Sequence, residues 1–340
     1  MKTTRRQALW LIAGVAGGAL LHACIQSAPK SIDNTFSASM GLLTWVGLTP
    51  LYIAVEKGFF KQQGLNLDIK VFSANADSNA AFAAGRLNGI APVTSEAVLI
   101  AAQGKDFRII MIQDISLGAD GILARKSIAD IKNLKGKRIG VDKGSVSHFF
   151  LLQVLSEAGL SEKDVTLVAM TPEAAAAAYQ AGKIEAAVTY SPFLEQANAE
   201  QKDGRVIYDS ARMPGAIADL FAFDTKFLEA YPQAGYAFVW GVLKGLDFLN
   251  KNRSEGLAIA ARRLNIKPDE LDKNLNLLKL PDLQSNIDML TNPQSQLFLG
   301  KQIQEIAKFL LAQKQISKLP DLSKLIEPKY LKAVSDSGIQ

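Results

Sequence analysis

From Thr35 onward, apolar runs of about four to eight residues alternate with stretches of helical period. Such alternation is the pattern of βαβ units, in which helices cover a mostly parallel sheet. The runs predict strands over 35–39, 67–72, 89–93, 108–112, 138–141, 165–168 and 186–189. Helices are predicted over 51–57, 78–84, 97–102, 148–157 and 174–178, and small polar residues precede several of them. Thr94-Ser95-Glu96, Ser145 to Ser147 and Thr171-Pro172-Glu173 stand at three such starts. The last joins a cap, a proline at the first helical position and an acid in the first turn.

The pattern changes character twice. One series of units runs to Ser116, residues 121–124 read as a connecting strand, and a second series runs from Lys137 to about Arg212. After Met213-Pro214-Gly215 a strand over 217–223 returns to the first series, and helices follow over 232–251, 254–264, 268–278 and 293–314. The chain is therefore expected to be α/β with two lobes: residues 35–117 with 218–340, and residues 118–217.

Composition adds little beyond an ordinary globular chain: 48% of the 340 residues are apolar and 21% charged. The formal charge of +5 is concentrated at the start, and removing Lys2, Arg5 and Arg6 leaves +2. That balance gives no argument for a nucleic-acid partner. The uncharged run from Ala8 to Leu21 has 14 residues, short of the ~20 that a membrane-spanning helix needs. With its cationic start and Ala23 before the single cysteine, Cys24, the segment 1–23 reads as an export signal. Leu21-His22-Ala23-Cys24 resembles a bacterial lipobox, in which Cys24 would be acylated and become the new N-terminus. Thr4-Arg5-Arg6-Gln7-Ala8-Leu9 resembles a twin-arginine signal but lacks its usual aromatic residue, so the export route stays open. Two acyl chains suffice for stable anchoring, and residues 24–34 form a short polar linker.

The segment from Trp45 to Leu65, Trp-Val-Gly-Leu-Thr-Pro-Leu-Tyr-Ile-Ala-Val-Glu-Lys-Gly-Phe-Phe-Lys-Gln-Gln-Gly-Leu, resembles the opening of substrate-binding proteins of nitrate, sulfonate and taurine type ABC importers. That family also includes binders of thiamine pyrimidine precursors. Later stretches are similar in order: Ala84-Gly-Arg-Leu-Asn-Gly, Ser116-Leu-Gly-Ala-Asp-Gly-Ile, Leu134-Lys-Gly-Lys-Arg-Ile-Gly-Val and Ala181-Gly-Lys-Ile-Glu-Ala-Ala. The resemblance implies a two-lobed periplasmic-binding-protein fold (type II), two crossovers between lobes, and closure on a small solute. It implies an ABC permease and ATPase as partners, a monomer and no cofactor; a receptor is expected, not an enzyme, with an enzyme on the same scaffold, such as a thiamine-pyrimidine synthase, as the rival reading.

Catalytic signatures are scarce. His148 is the only histidine besides His22, and the chain has no P-loop, no His-x-x-x-His pair and no cysteine cluster. Asp114 and Asp120 could face one cleft, yet only proximity supports them as an acid and base pair. Binding is better supported, because ligands of open α/β sheets sit beyond the carboxyl ends of strands, where helix N-termini expose N–H groups. Thr94, Ser95, Gly144 and Ser145 stand at such places, with simple capping as the alternative. Ser116 joins them through the resemblance. Trp45 and Gly47 follow the first strand, where the family's pocket has a wall; Tyr190 ends a second-lobe strand; Asp219 lies in the return strand. A nitrate, sulfonate, taurine or bicarbonate-like solute would suit N–H groups and hydroxyls. Asp77, Glu96, Asp114, Asp120 and Asp219, however, would suit a protonated amine or an aminopyrimidine, and the residues leave that choice open.

Overall fold

The computed structural model describes residues 35–338; the export signal, Cys24 and the linker lie outside the described residues. Its strands are β1 (Phe36–Leu42), β2 (Leu65–Val71), β3 (Gly89–Ile90), β4 (Phe107–Ser116), β5 (Asp120–Arg125), β6 (Arg138–Val141), β7 (Thr166–Ala169), β8 (Ala186–Tyr190), β9 (Gly204–Asp209), β10 (Ala218–Asp224) and β11 (Leu278–Lys279). They form a six-stranded sheet in the order β11-β4-β10-β3-β1-β2 and a five-stranded sheet in the order β7-β6-β8-β5-β9.

Pairing is parallel in β1–β2, β1–β3, β6–β7 and β6–β8. It is antiparallel for β10 against β3 and β4, for β11 against β4, and for β5 against β8 and β9. Both sheets are thus mixed, with more antiparallel pairing than helix–strand alternation alone suggests. The reason lies in the crossovers. A strand that enters a sheet directly from the other one, as β5 and β10 do, starts at the edge where the parallel strands end.

The two crossovers touch. Ser116 and Ser210 share a hydroxyl–hydroxyl bond of 2.7 Å, and Ser210 Oγ also accepts the Gly118 N–H at 2.8 Å. Gly118 has φ +128°, a conformation that disfavours any side chain. The Ser116 N–H completes the junction by donating to Ile217 O at 3.1 Å.

Apolar periodicity accounts for the helices that cover the sheets. The helix Pro232–Lys251 has proline at its first turn and buries Phe238 against Phe221 and Phe223, with ring centroids 4.9 Å apart in each pair. A Cβ on its Gly245 would meet Pro50 O at 2.0 Å, so glycine there lets the helix Thr49–Glu56 approach. In the second lobe, Thr171 caps the helix Pro172–Gln180 by accepting the Ala174 N–H at 3.2 Å. The helix Leu299–Ala312 starts later than the pattern suggests, since residues 292–298 fold into successive turns. Its Phe309 meets Phe149 of the second-lobe helix Val146–Glu157 at 5.7 Å. The helix expected over 268–278 ends at Leu275, and Leu278 pairs with Ser116 instead.

Candidate functional site

The carboxyl ends of β1, β3, β4, β6 and β8 and the starts of β5 and β10 converge on one gap between the sheets. The cavity there is small, about 30 Å³. From the first lobe it is lined by Leu43, Trp45, Leu48, Asn75, Ala91, Val93, Gln113 and Asp219, from the second by Asp120, Val146 and Tyr190, and from the crossover by Ile217. An apolar wall with a few convergent polar groups, placed at strand ends, is the usual form of a small-molecule site in this fold class.

Trp45 and Tyr190 form its aromatic walls, edge to face at 5.6 Å and 89°. Each comes from a different lobe. Trp45 is held by its indole N–H, which donates to Asp114 Oδ2 at 2.8 Å, and Gln113 Nε2 donates to the same oxygen at 2.9 Å. Gly47 does not line the cavity; it makes room for this arrangement. A Cβ there would fall 1.9 Å from Asp114 Oδ2 and 2.4 Å from Trp45 Nε1.

Three buried acids dominate the electrostatics. Asp219 on β10 is the register partner of Asp114 on β4, and a bulge follows it. Like charges directly opposite are unfavourable, so the pair divides its roles. Two side-chain donors stabilise the ionised form of Asp114, whose pKa rises only to about 6 under the burial that drives it. Asp219 lacks such donors, and burial followed by the charges of Asp114, Asp120 and Glu96 pushes it well above the carboxylate range. Asp120 rises to about 7, chiefly through burial, with Asp114 and Glu195 adding to it and Ser116 opposing. No lysine, arginine or histidine lines the cavity among the described residues.

Helix N-termini, the expected anion sites, are already occupied by the chain's own carboxylates. Glu96 accepts the Val93 N–H at 3.1 Å in its own helix, Thr94–Ala102, and the Val146 N–H at 3.0 Å in the other lobe. Asp142 returns the arrangement from the second lobe by accepting the Asn75 N–H at 3.0 Å, where the helix Asn75–Ala83 begins. Burial raises Glu96 to about 7 and Asp142 to about 6 despite these amide bonds. In the sequence Glu96 stood only among the acids at helix starts and loops, and Asp142 did not stand out at all. An acid three residues after Val93 is the one signal that pointed to Glu96, and no local pattern reveals a partner fifty residues away.

The remaining candidates sit around the cavity without lining it. Val93, not Thr94 or Ser95, takes the cap position. Thr94 Oγ1 reaches Ala216 O at 3.5 Å, and Ser95 Oγ is buried without a partner. Ser145 caps its helix, accepting the Ser147 N–H at 3.2 Å and donating to Asp142 O at 2.6 Å. Gly144, at φ +79°, gives its N–H to His148 Nδ1 at 3.2 Å. Ser116 belongs to the crossover junction. His148 is buried, and that burial lowers its pKa.

Once ionised, these acids would favour positive charge in the cavity. At an effective dielectric constant of about 20, each ionised acid some 5 Å away repels an anion by about 3 kcal/mol and attracts a cation equally. Those contributions exceed the 1 kcal/mol or so expected from one ordinary hydrogen bond.

The fold has known counterparts. A Bacillus subtilis (strain 168) relative named for binding aliphatic sulfonates is 29% identical over 299 residues, 84% of each chain. The alkanesulfonate-binding protein SsuA from Xanthomonas axonopodis pv. citri, solved with MOPS, has a TM-score of 0.71 at 19% identity and covers 86% of this chain and 98% of its own. The desulfurization enzyme DSZB shares the fold at a TM-score of 0.65 and 16% identity, with 88% of this chain and 99% of that one covered. Residues 45–255, which carry Trp45, Glu96, Asp114, Asp120, Tyr190 and Asp219, match the NMT1/THI5-like family, and the chain belongs to it.

Proposed function

We propose that this chain is an extracytoplasmic solute-binding protein, tethered through an acylated Cys24, that captures a small polar solute between its lobes and delivers it to an ABC permease and ATPase. The observation that carries the reading is the pairing of Trp45 with Tyr190 around a cavity whose acids also come from both lobes. A solute bridging such walls binds the closed form better than the open one, and only that difference shifts the population. The sulfonate-binding relative and the absence of any membrane-crossing helix among the described residues agree with it.

An enzyme on the same scaffold is the second reading, favoured by the likeness to DSZB. That enzyme was also solved as a C27S variant, whereas residues 35–338 of this chain hold no cysteine. One experiment separates the readings. A solute that raises the melting temperature is incubated with the purified protein and followed by mass spectrometry and small-angle scattering. Compaction with the solute unchanged supports the receptor. Turnover that disappears in Asp120→Asn overturns it.

A further inference from the structure

We propose that the solute this pocket takes is a compact organic cation bearing N–H donors, an ammonium, guanidinium or amidinium group, docked against Asp120 and Asp219 between Trp45 and Tyr190. The inference rests on the receptor reading and names the class of its ligand.

Three independent features carry it. Asp120, only 4% exposed, lines the cavity, and its Oδ2 has no partner. Gln113, 5% exposed, lines it as well; its amide nitrogen is committed to the Asp114 carboxylate, which leaves Oε1 as an unpartnered acceptor. The wall therefore offers two unpartnered acceptors beside a single unpartnered donor, Asn75 Nδ2. Secondly, two helix-start amides on the wall that could receive an anion are taken by the chain itself: Glu96 holds Val146 and Asp142 holds Asn75. A sulfonate or nitrate would have to displace a buried carboxylate of the protein. Thirdly, no cationic side chain lines the cavity among the described residues, so no protein cation would balance its acids once they ionise.

Binding should exchange the cation for a proton. The titratable groups lining the cavity are Asp219 from the first sheet and Asp120 and Tyr190 from the second, with Asp114, Glu96, Asp142 and Glu195 behind them. Burial favours the protonated forms of Asp120 and Asp219 near neutrality. A cation stabilises their ionised forms and expels a proton to solvent, so affinity rises with pH between about 5.5 and 7.5.

The test titrates the full-length chain in detergent by calorimetry with ethylammonium, guanidinium and benzamidinium chlorides, and in parallel with sodium ethanesulfonate and sodium nitrate. Each titration is run in two buffers of different ionisation enthalpy. The expected result is one-site binding of at least one cation with proton release, weakened about tenfold or more in Asp120→Asn, the loss of one charge-assisted bond. Should that variant fail to fold, proton release by the unaltered chain decides. Binding of ethanesulfonate or nitrate without any of the cations overturns the charge assignment and leaves the receptor reading standing. Cation binding with proton uptake, or with no change in Asp120→Asn, overturns the placement. Silence from all five probes overturns both readings.

Discussion

Glu96 accepts the amide of Val146 at 3.0 Å across the gap between the lobes, so a side chain from one lobe caps a helix of the other. Removing it leaves two buried N–H groups, those of Val93 and Val146, without their acceptor. Glu96→Ala should lower stability by about 1–3 kcal/mol and enlarge the radius of gyration of the ligand-free protein. Urea unfolding and small-angle scattering read the two effects. An unchanged radius would mean that the latch does not hold the lobes together.

Stability should fall as pH rises from about 5 to 8. Glu96, Asp114, Asp120 and Asp142 have pKa values raised to about 7, 6, 7 and 6 by burial, so the folded state binds more protons than the unfolded one across that window. Their stabilising effect is complete below the unfolded carboxylate range and is lost as pH passes the folded values. Buried His148, whose pKa is lowered, acts in the opposite sense below about 6.5 but is one group against four. A melting temperature several degrees higher at pH 5.5 than at pH 8 is the expected outcome. A flat or rising profile would show that these acids are ionised in the folded protein.

Gly47→Ala is a test of the aromatic wall. The new methyl group falls on the bond between Trp45 and Asp114, and overpacking of this kind costs about 1–3 kcal/mol. The same substitution should blue- or red-shift the emission of Trp45 while leaving Trp240, in the helix Pro232–Lys251, unaffected. Comparison with Trp45→Phe assigns the signal. If the spectrum does not change, Trp45 does not depend on that bond for its position.

Acylation is tested apart from the fold. Cys24→Ser should abolish fatty-acid labelling and move the protein from the membrane to the soluble or unprocessed fraction. Equal labelling of the two forms would sink the anchor.

Much of this was legible in the chain because the helices announce their starts. Pro232, Pro268 and Pro172 each mark an N-terminus that the structure keeps. Strand β9 was not legible, since Gly204–Asp209 is a half-exposed polar edge whose apolar residues are too few to show a period. The helix Leu283–Thr291 was missed for the same reason, its start resting on Asp282, which accepts the Ser285 N–H at 2.8 Å. At the site, Trp45, Tyr190 and Asp219 could be singled out because they stand at strand ends, and all three line the cavity. The hydroxyls of Thr94 and Ser145 looked equally promising, but Ser145 is spent on capping its own helix and Thr94 turns to Ala216 O. The two latches were invisible, because Asp142 and Asn75 meet only after both lobes have folded and come together.

The bond between Ser116 and Ser210 has a mechanical consequence. Two separate threads between rigid bodies would allow them to twist, slide and swing independently. Threads fastened to each other behave as a single strap, and the residual freedom is rotation about one line near Ser116, Gly118 and Ser210. An opening about that junction would part Trp45 from Tyr190 and break both carboxylate latches. A solute arriving at the mouth meets either a whole site or none.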